Sequence, residues 1–157
     1  MRVSVQEADF DVGAETEALA AGRPEVGAVA SFVGYVRADK LAGESAEDQA
    51  VSAMTLEHYP GMTEKSLEAI VAEAESRWSL LGVRVIHRFG RLVPGDRIVF
   101  VGVAGSHRGE AFAACEFIMD YLKTRAPFWK KEDTPEGGRW VDAREADDAA
   151  AEKWRQA

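Results

Sequence analysis

The chain has 157 residues, 46% of them hydrophobic and 29% charged, a balance that suits one packed domain and argues against global disorder or a fibrous repeat. Nineteen Lys and Arg against 27 Asp and Glu leave a net charge of -8, so nucleic acid or an anionic membrane is repelled by the surface as a whole. The single cysteine, Cys115, excludes an internal disulfide framework and fits a reducing cytoplasm, while the absence of a run of about 18 apolar residues, or of a signal-like N-terminus, excludes a membrane span or export.

Arg2 to Gln6 alternates apolar and polar residues as a short strand does, and Glu15 to Ala21 reads as a short helix stopped by Gly22 and Pro24. Gly27 to Arg37, GAVASFVGYVR, is a strand rich in Val and Phe in which Gly34 marks a bulge or a close backbone approach. The acidic stretch 39–50 reads as a mobile connection, followed by a strand over Val51 to Tyr59 and a Pro60-Gly61 turn. Leu67, Ile70, Val71, Ala74 and Trp78 recur at helical spacing and predict an amphipathic helix over Thr63 to Trp78.

Val83 to Arg88 and Arg97 to Ala104 form a candidate hairpin through Pro94-Gly95-Asp96, a pair of residues suited to a type II turn. Phe112, Cys115, Met119 and Leu122 set an apolar stripe on a helix from Gly109 to Thr124, which Pro127 ends because it has no N–H to continue the ladder. A small helix over 147–156 would dock through Trp154. Strands and helices do not alternate regularly and the hairpin is antiparallel, so the expected fold is α+β: a single domain over 1–157 with mixed antiparallel sheets and packed helices.

The densest chemical signal runs from Ser106 to Trp140 and is locally basic within an acidic chain: Lys123, Arg125, Lys130, Lys131 and Arg139 could line a cavity for an anion. Ser106-His107-Arg108-Gly109 enters a helix, whose free N–H groups and positive dipole end suit phosphate or carboxylate; taken alone, the plainer reading is an ordinary cap with solvated neighbours. Lys123 in the last helical turn meets the negative dipole end, as many inert lysines do. Its place four residues after Met119, beside the apolar stripe, gives the other reading, in which partial desolvation favours the neutral amine of a base or nucleophile.

Lys130 follows Pro127-Phe128-Trp129, a stiff aromatic turn that would hold its ammonium in place. Phe32 and Arg37 share a strand and reach one face only if a bulge at Gly34 resets the alternation. Cys115 reads as a small core residue rather than a nucleophile, and His58, His87 and His107 lack the spacing of a zinc site.

GAVASFVGYVR, LEHYPGMTEKSL, HRFGRLVPGDRIVFVGVAGSHRGEAF, YLKTRAPFWKKE and GGRWVDAR, in this order between Gly27 and Arg144, resemble the large subunit of the molybdopterin synthases. The resemblance implies an α/β-hammerhead type of fold and a sulfurtransferase that converts cyclic pyranopterin monophosphate to molybdopterin, with no metal or cofactor needed for the step. It implies a homodimer of large subunits, each joined by a small ubiquitin-like subunit with a thiocarboxylated C-terminus to make a heterotetramer.

By motif it makes Lys123 and Lys130 the catalytic lysines and Phe32, Arg37 and Met119 pocket residues. His107 and Arg108 would bind the anionic substrate across the dimer interface, and Arg144 is a further binding position. Two other readings of the residues stay open: a module that binds a phosphorylated ligand or a C-terminal carboxylate without turnover, and a structural homodimer whose basic patch is a solvated face.

Overall fold

The computed structural model describes residues 2–38, 53–134, 137–141 and 145–155, with side chains placed outside 131–147. The expected connection over 39–50 and Arg144 therefore lie outside the described residues. The elements in chain order are β1 (Val3–Gln6), α1 (Val12–Ala20), β2 (Ala28–Tyr35), β3 (Ala53–His58), α2 (Met62–Arg77), β4 (Leu80–Arg88), β5 (Gly90–Leu92), β6 (Arg97–Gly105), α3 (Arg108–Arg125), β7 (Phe128–Thr134), β8 (Gly137–Val141) and α4 (Glu145–Glu152).

They build two four-stranded sheets, β1-β4-β6-β2 and β5-β3-β7-β8. The fold is α+β, as the sequence pattern implies. β4 and β6 pair antiparallel, and the turn between them is of type II: Asp96 N–H donates to Val93 O at 2.9 Å and Gly95 sits at φ +95°, where a side chain would be strained. Between them lies a strand the pattern does not reveal, β5, which leaves the hairpin to pair with β3 in the other sheet. β1 pairs with β4 in parallel, which makes the first sheet mixed.

Valines at alternate positions of β4 and β6 decide which face of the first sheet is covered. Val83, Val85, Val99, Val101 and Val103 point to one side and join Leu67, Ile70 and Val71 of α2 and Ala114, Phe117 and Ile118 of α3 in the main core. The other face carries Ile86 and Phe100, packed with Phe10, and there Leu19 of α1 meets the sheet where Gly102 leaves room for it. Gly27 is required for a similar reason, because a Cβ there would meet the Ser106 carbonyl oxygen at 2.1 Å. That contact ties the start of β2 to the residues that enter α3.

α1 begins three residues earlier than expected, since Asp11 caps it by accepting from Ala14 N–H at 3.0 Å. The α3 stripe is also corrected: Phe112 is 64% exposed, and the buried face adds Ala111, Ala114, Phe117, Ile118 and Tyr121 to Cys115, Met119 and Leu122. Trp154 docks just beyond α4, edge-on to Trp78 and Phe117, with its indole N–H donating to Asp120 at 2.6 Å. No helix among the described residues is long and apolar enough to cross a membrane.

Candidate active site

The direction of α3 decides where its ends lie. Ala111 sits against Gly105, and the Cys115 thiol donates to Val101 O at 3.7 Å, so α3 runs back along β6 towards Arg97. From Cys115 to Lys123 the helix rises about 12 Å, and from Val101 to Arg97 the strand spans about 13 Å. Met119 and Lys123 thus reach the Arg97 end of the first sheet. There Tyr35 pairs with Arg97, after a register shift between Gly34 and Tyr35, and the chain leaves β2 through Val36 to Arg37.

Phe32 starts at mid-strand and leans towards that end. It pairs with Val101, and its ring lies over Gly34, whose missing Cβ it would otherwise touch at 3.3 Å. The bulge expected at Gly34 is present, and Arg37 lies two residues beyond the strand rather than on it. Val36 fixes that exit: its N–H donates to Asp96 O and its carbonyl accepts from Gly95 N–H, both at 2.9 Å, and its side chain packs with Met54, Leu56 and Leu92.

Lys130 arrives from the second sheet. It pairs with Leu56 of β3, while Phe128 pairs with His58, so Phe128 and Lys130 share the sheet face on which Leu56 is buried. Trp129 points to the opposite face and meets Tyr59 edge-on at 4.4 Å. Lys130 is half-buried and Lys123 exposed. The desolvated Lys123 expected from its spacing is not what one chain provides, because Leu122 takes the inward position. The last turn of α3 is fixed by Arg125, which pairs with Glu73 of α2 at 2.8 Å and lies 3.7 Å over the Tyr121 ring.

Two histidines join this end that sequence spacing left far apart. His87 of β4 is buried and stacks on Phe128 with ring centres 3.8 Å apart and 20° between planes. His58 lies 6.0 Å from Phe128 and 4.4 Å from Phe89. Burial pushes the His87 imidazole down to about 3, helped by the charges of Lys123 and His58 and opposed by its hydrogen bond to Arg88 O. The available signal was the position of His87 in VRVIHR, inside an apolar strand.

Phe32, Arg37, Met119, Lys123 and Lys130 therefore gather around the Arg97 end of the first sheet, and His107 and Arg108 do not. Arg108 and Lys123 are 15 residues apart on one straight helix, about 22 Å. Both His107 and Arg108 are exposed at its far end. An open depression of about 510 Å³ lined by Asp9, Phe10, Val12 and Arg97 shares no residue with this group. Among the described residues no three His, Cys, Asp or Glu side chains converge to hold a metal ion.

Cys115 is a core residue at 7% exposure, and burial, with the charge of Glu116 beside it, pushes its thiol up to about 11. The thiolate is the reactive form, so the native protein should resist a maleimide at pH 8 that labels the urea-unfolded chain within minutes. Rapid native labelling, read by mass spectrometry, would contradict this placement.

The family described as MoaE protein matches residues 5–125. A molybdopterin synthase catalytic subunit from Ralstonia nicotianae is 61% identical over 97% of this chain and 83% of its own length. One from Pseudomonas aeruginosa is 56% identical over 99% of this chain and all of its own length. Among solved structures, the molybdopterin biosynthesis MoaE protein from Burkholderia ambifaria superposes with a TM-score of 0.81 at 56% identity, covering 98% of this chain and 97% of that one.

Proposed function

This chain belongs to the MoaE protein family, and from that premise we propose that it is the catalytic subunit of a molybdopterin synthase, a sulfurtransferase of molybdenum cofactor biosynthesis. Its substrate is cyclic pyranopterin monophosphate. The sulfur comes from the C-terminal thiocarboxylate of a small ubiquitin-like subunit, a partner that the name "catalytic subunit" of the relatives calls for. The setting is cytoplasmic, in keeping with one reduced, buried cysteine.

The observation that carries the reading is the convergence of Lys123, Lys130 and the Arg37 segment, with Phe32 and Met119, at one end of a rigid sheet. Transfer of sulfur from a thiocarboxylate builds negative charge at the acyl carbon's oxygen and on the departing sulfur, and a fixed ammonium stabilises both. In this reading Lys123 acts at that centre, and Lys130, held by β7, orients the pterin and its phosphate. Arg37 and Arg144 add charge for the anion.

His107 and Arg108 lie too far from Lys123 to reach the same small substrate within one chain. They serve the site only if a second copy brings its own α3 start to the Lys123 end, which supports a homodimer and, with two small subunits, a heterotetramer. The test is reconstitution: the chain, the thiocarboxylated small subunit and the precursor are mixed and the dithiolene product is measured. Tight binding of the small subunit with no dithiolene formed would replace this reading with that of a passive binding module.

A further inference from the structure

The two lysines proposed to share one site lie seven residues apart on different elements, so their relative placement depends on the corner at 126–128. The turn itself has few backbone bonds before β7 joins β3 at Phe128, the partner of His58. Ala126 N–H donates to Leu122 O at 3.4 Å, Pro127 has no N–H, and the one bond across the turn is Phe128 N–H to Ala126 O at 2.9 Å, a γ-turn spacing. The side chain of Phe128 adds a constraint of its own, through the ring it stacks on.

Building on the function proposed above, we infer that His87 is a positioning residue for the lysine pair: its pinned, buried ring is the platform on which Phe128 rests, and that stack sets the corner between Lys123 and Lys130. The imidazole Nδ1 lies 2.8 Å from Arg88 O, and a carbonyl can only accept, so Nδ1 carries the proton and the ring plane is fixed relative to β4. Phe128 lies flat on this plane.

His58, the cross-strand neighbour of Phe128, is held by the same logic. The Thr63 hydroxyl donates its proton to Tyr59 O at 2.8 Å, so at 3.1 Å it accepts from His58 Nδ1. A histidine suits position 87 because it combines an aromatic face with a hydrogen bond that stops the ring from turning. Leucine would fill the space without a face, and phenylalanine would keep the face without the pin.

The experiment compares His87→Leu and His87→Phe in the reconstituted synthase. A misplacement of about 1 Å in a catalytic group is enough for losses on the order of 100-fold. His87→Leu should lower kcat by at least about tenfold with KM for the precursor and affinity for the small subunit within about threefold of wild type, and His87→Phe should recover most of the loss. Should His87→Leu not fold, Phe128→Leu removes the other half of the stack and should show the same kcat loss.

A second readout does not depend on turnover. In the free protein the side-chain NMR resonances of Lys123 and Lys130 should shift in His87→Leu, while those of Lys153 stay in place. Leu and Phe variants equally active, equally slow, or impaired only in KM would overturn the inference, as would unmoved lysine resonances. A wild-type protein that makes no dithiolene would sink the functional reading instead, leaving the resonance comparison to decide the role of His87.

Discussion

Lys123→Ala is expected to lower sulfur transfer by at least about 100- to 1,000-fold while leaving the fold and the small-subunit complex intact. The magnitude is that of removing one preorganised charge from a developing oxyanion. Lys123 is exposed in the last turn of α3, where meeting the helix dipole contributes roughly 0.3–1 kcal/mol, and thermal unfolding is expected to move by only a few degrees. A large loss of rate with so small a loss of stability locates the defect in the chemistry.

Single-turnover measurement with thiocarboxylated small subunit and precursor reads the step directly. Lys123→Arg then separates two roles of the amine. A guanidinium keeps the charge but cannot act as base or acyl acceptor, so partial recovery identifies charge stabilisation, and none identifies a neutral amine in the mechanism. Near-normal turnover in Lys123→Ala would remove Lys123 from the reaction.

Much of what positions this lysine is visible in the sequence for local reasons. Pro127 forbids continuation of α3, Gly95 needs a positive φ, and Gly34 produces the bulge that turns the chain towards Arg37. The misses are non-local. β7 carries Lys130, Lys131, Glu132 and Asp133, a run with no strand-like alternation, and it is a strand because β3 and β8 pair with it. β5 is three residues long and exists only against β3.

Phe112 shows the converse error, since 3.6-residue spacing places it near the stripe but cannot tell which side of the stripe the sheet will cover. His58 and His87 belong to different sheets, and no spacing rule relates them; only the crossing of β3, β4 and β7 at Phe128 does. The remoteness of Arg108 from Lys123, by contrast, follows from helix length alone.

Acid should destabilise this protein through His87, and the effect should disappear in His87→Phe. In the unfolded chain the imidazole takes a proton near its ordinary 6.5, while in the folded chain burial holds it down to about 3. Above 6.5 the ring is neutral in both states and contributes no pH dependence. Between about 6.5 and 3 the unfolded state binds the extra proton, so stability falls with falling pH by about 1.4 kcal/mol per unit, up to about 5 kcal/mol across the window.

That is a large part of the 5–15 kcal/mol typical of a domain. The Asp9 carboxyl, held below its ordinary value chiefly by its hydrogen bond with Arg97, adds acid sensitivity of the same sign, but it is exposed and common to both proteins. Urea unfolding of wild type and His87→Phe at pH 7, 6, 5 and 4 isolates the histidine: the stability difference should change steadily in favour of the variant as pH falls below 6.5. Parallel curves would mean that His87 titrates alike in the folded and unfolded chains. The same linkage bears on function, because a ring that stays neutral throughout the working range of an enzyme adds no charge beside Lys123. Any pH dependence of turnover near neutrality then has another source than this ring, on a corner whose platform does not titrate.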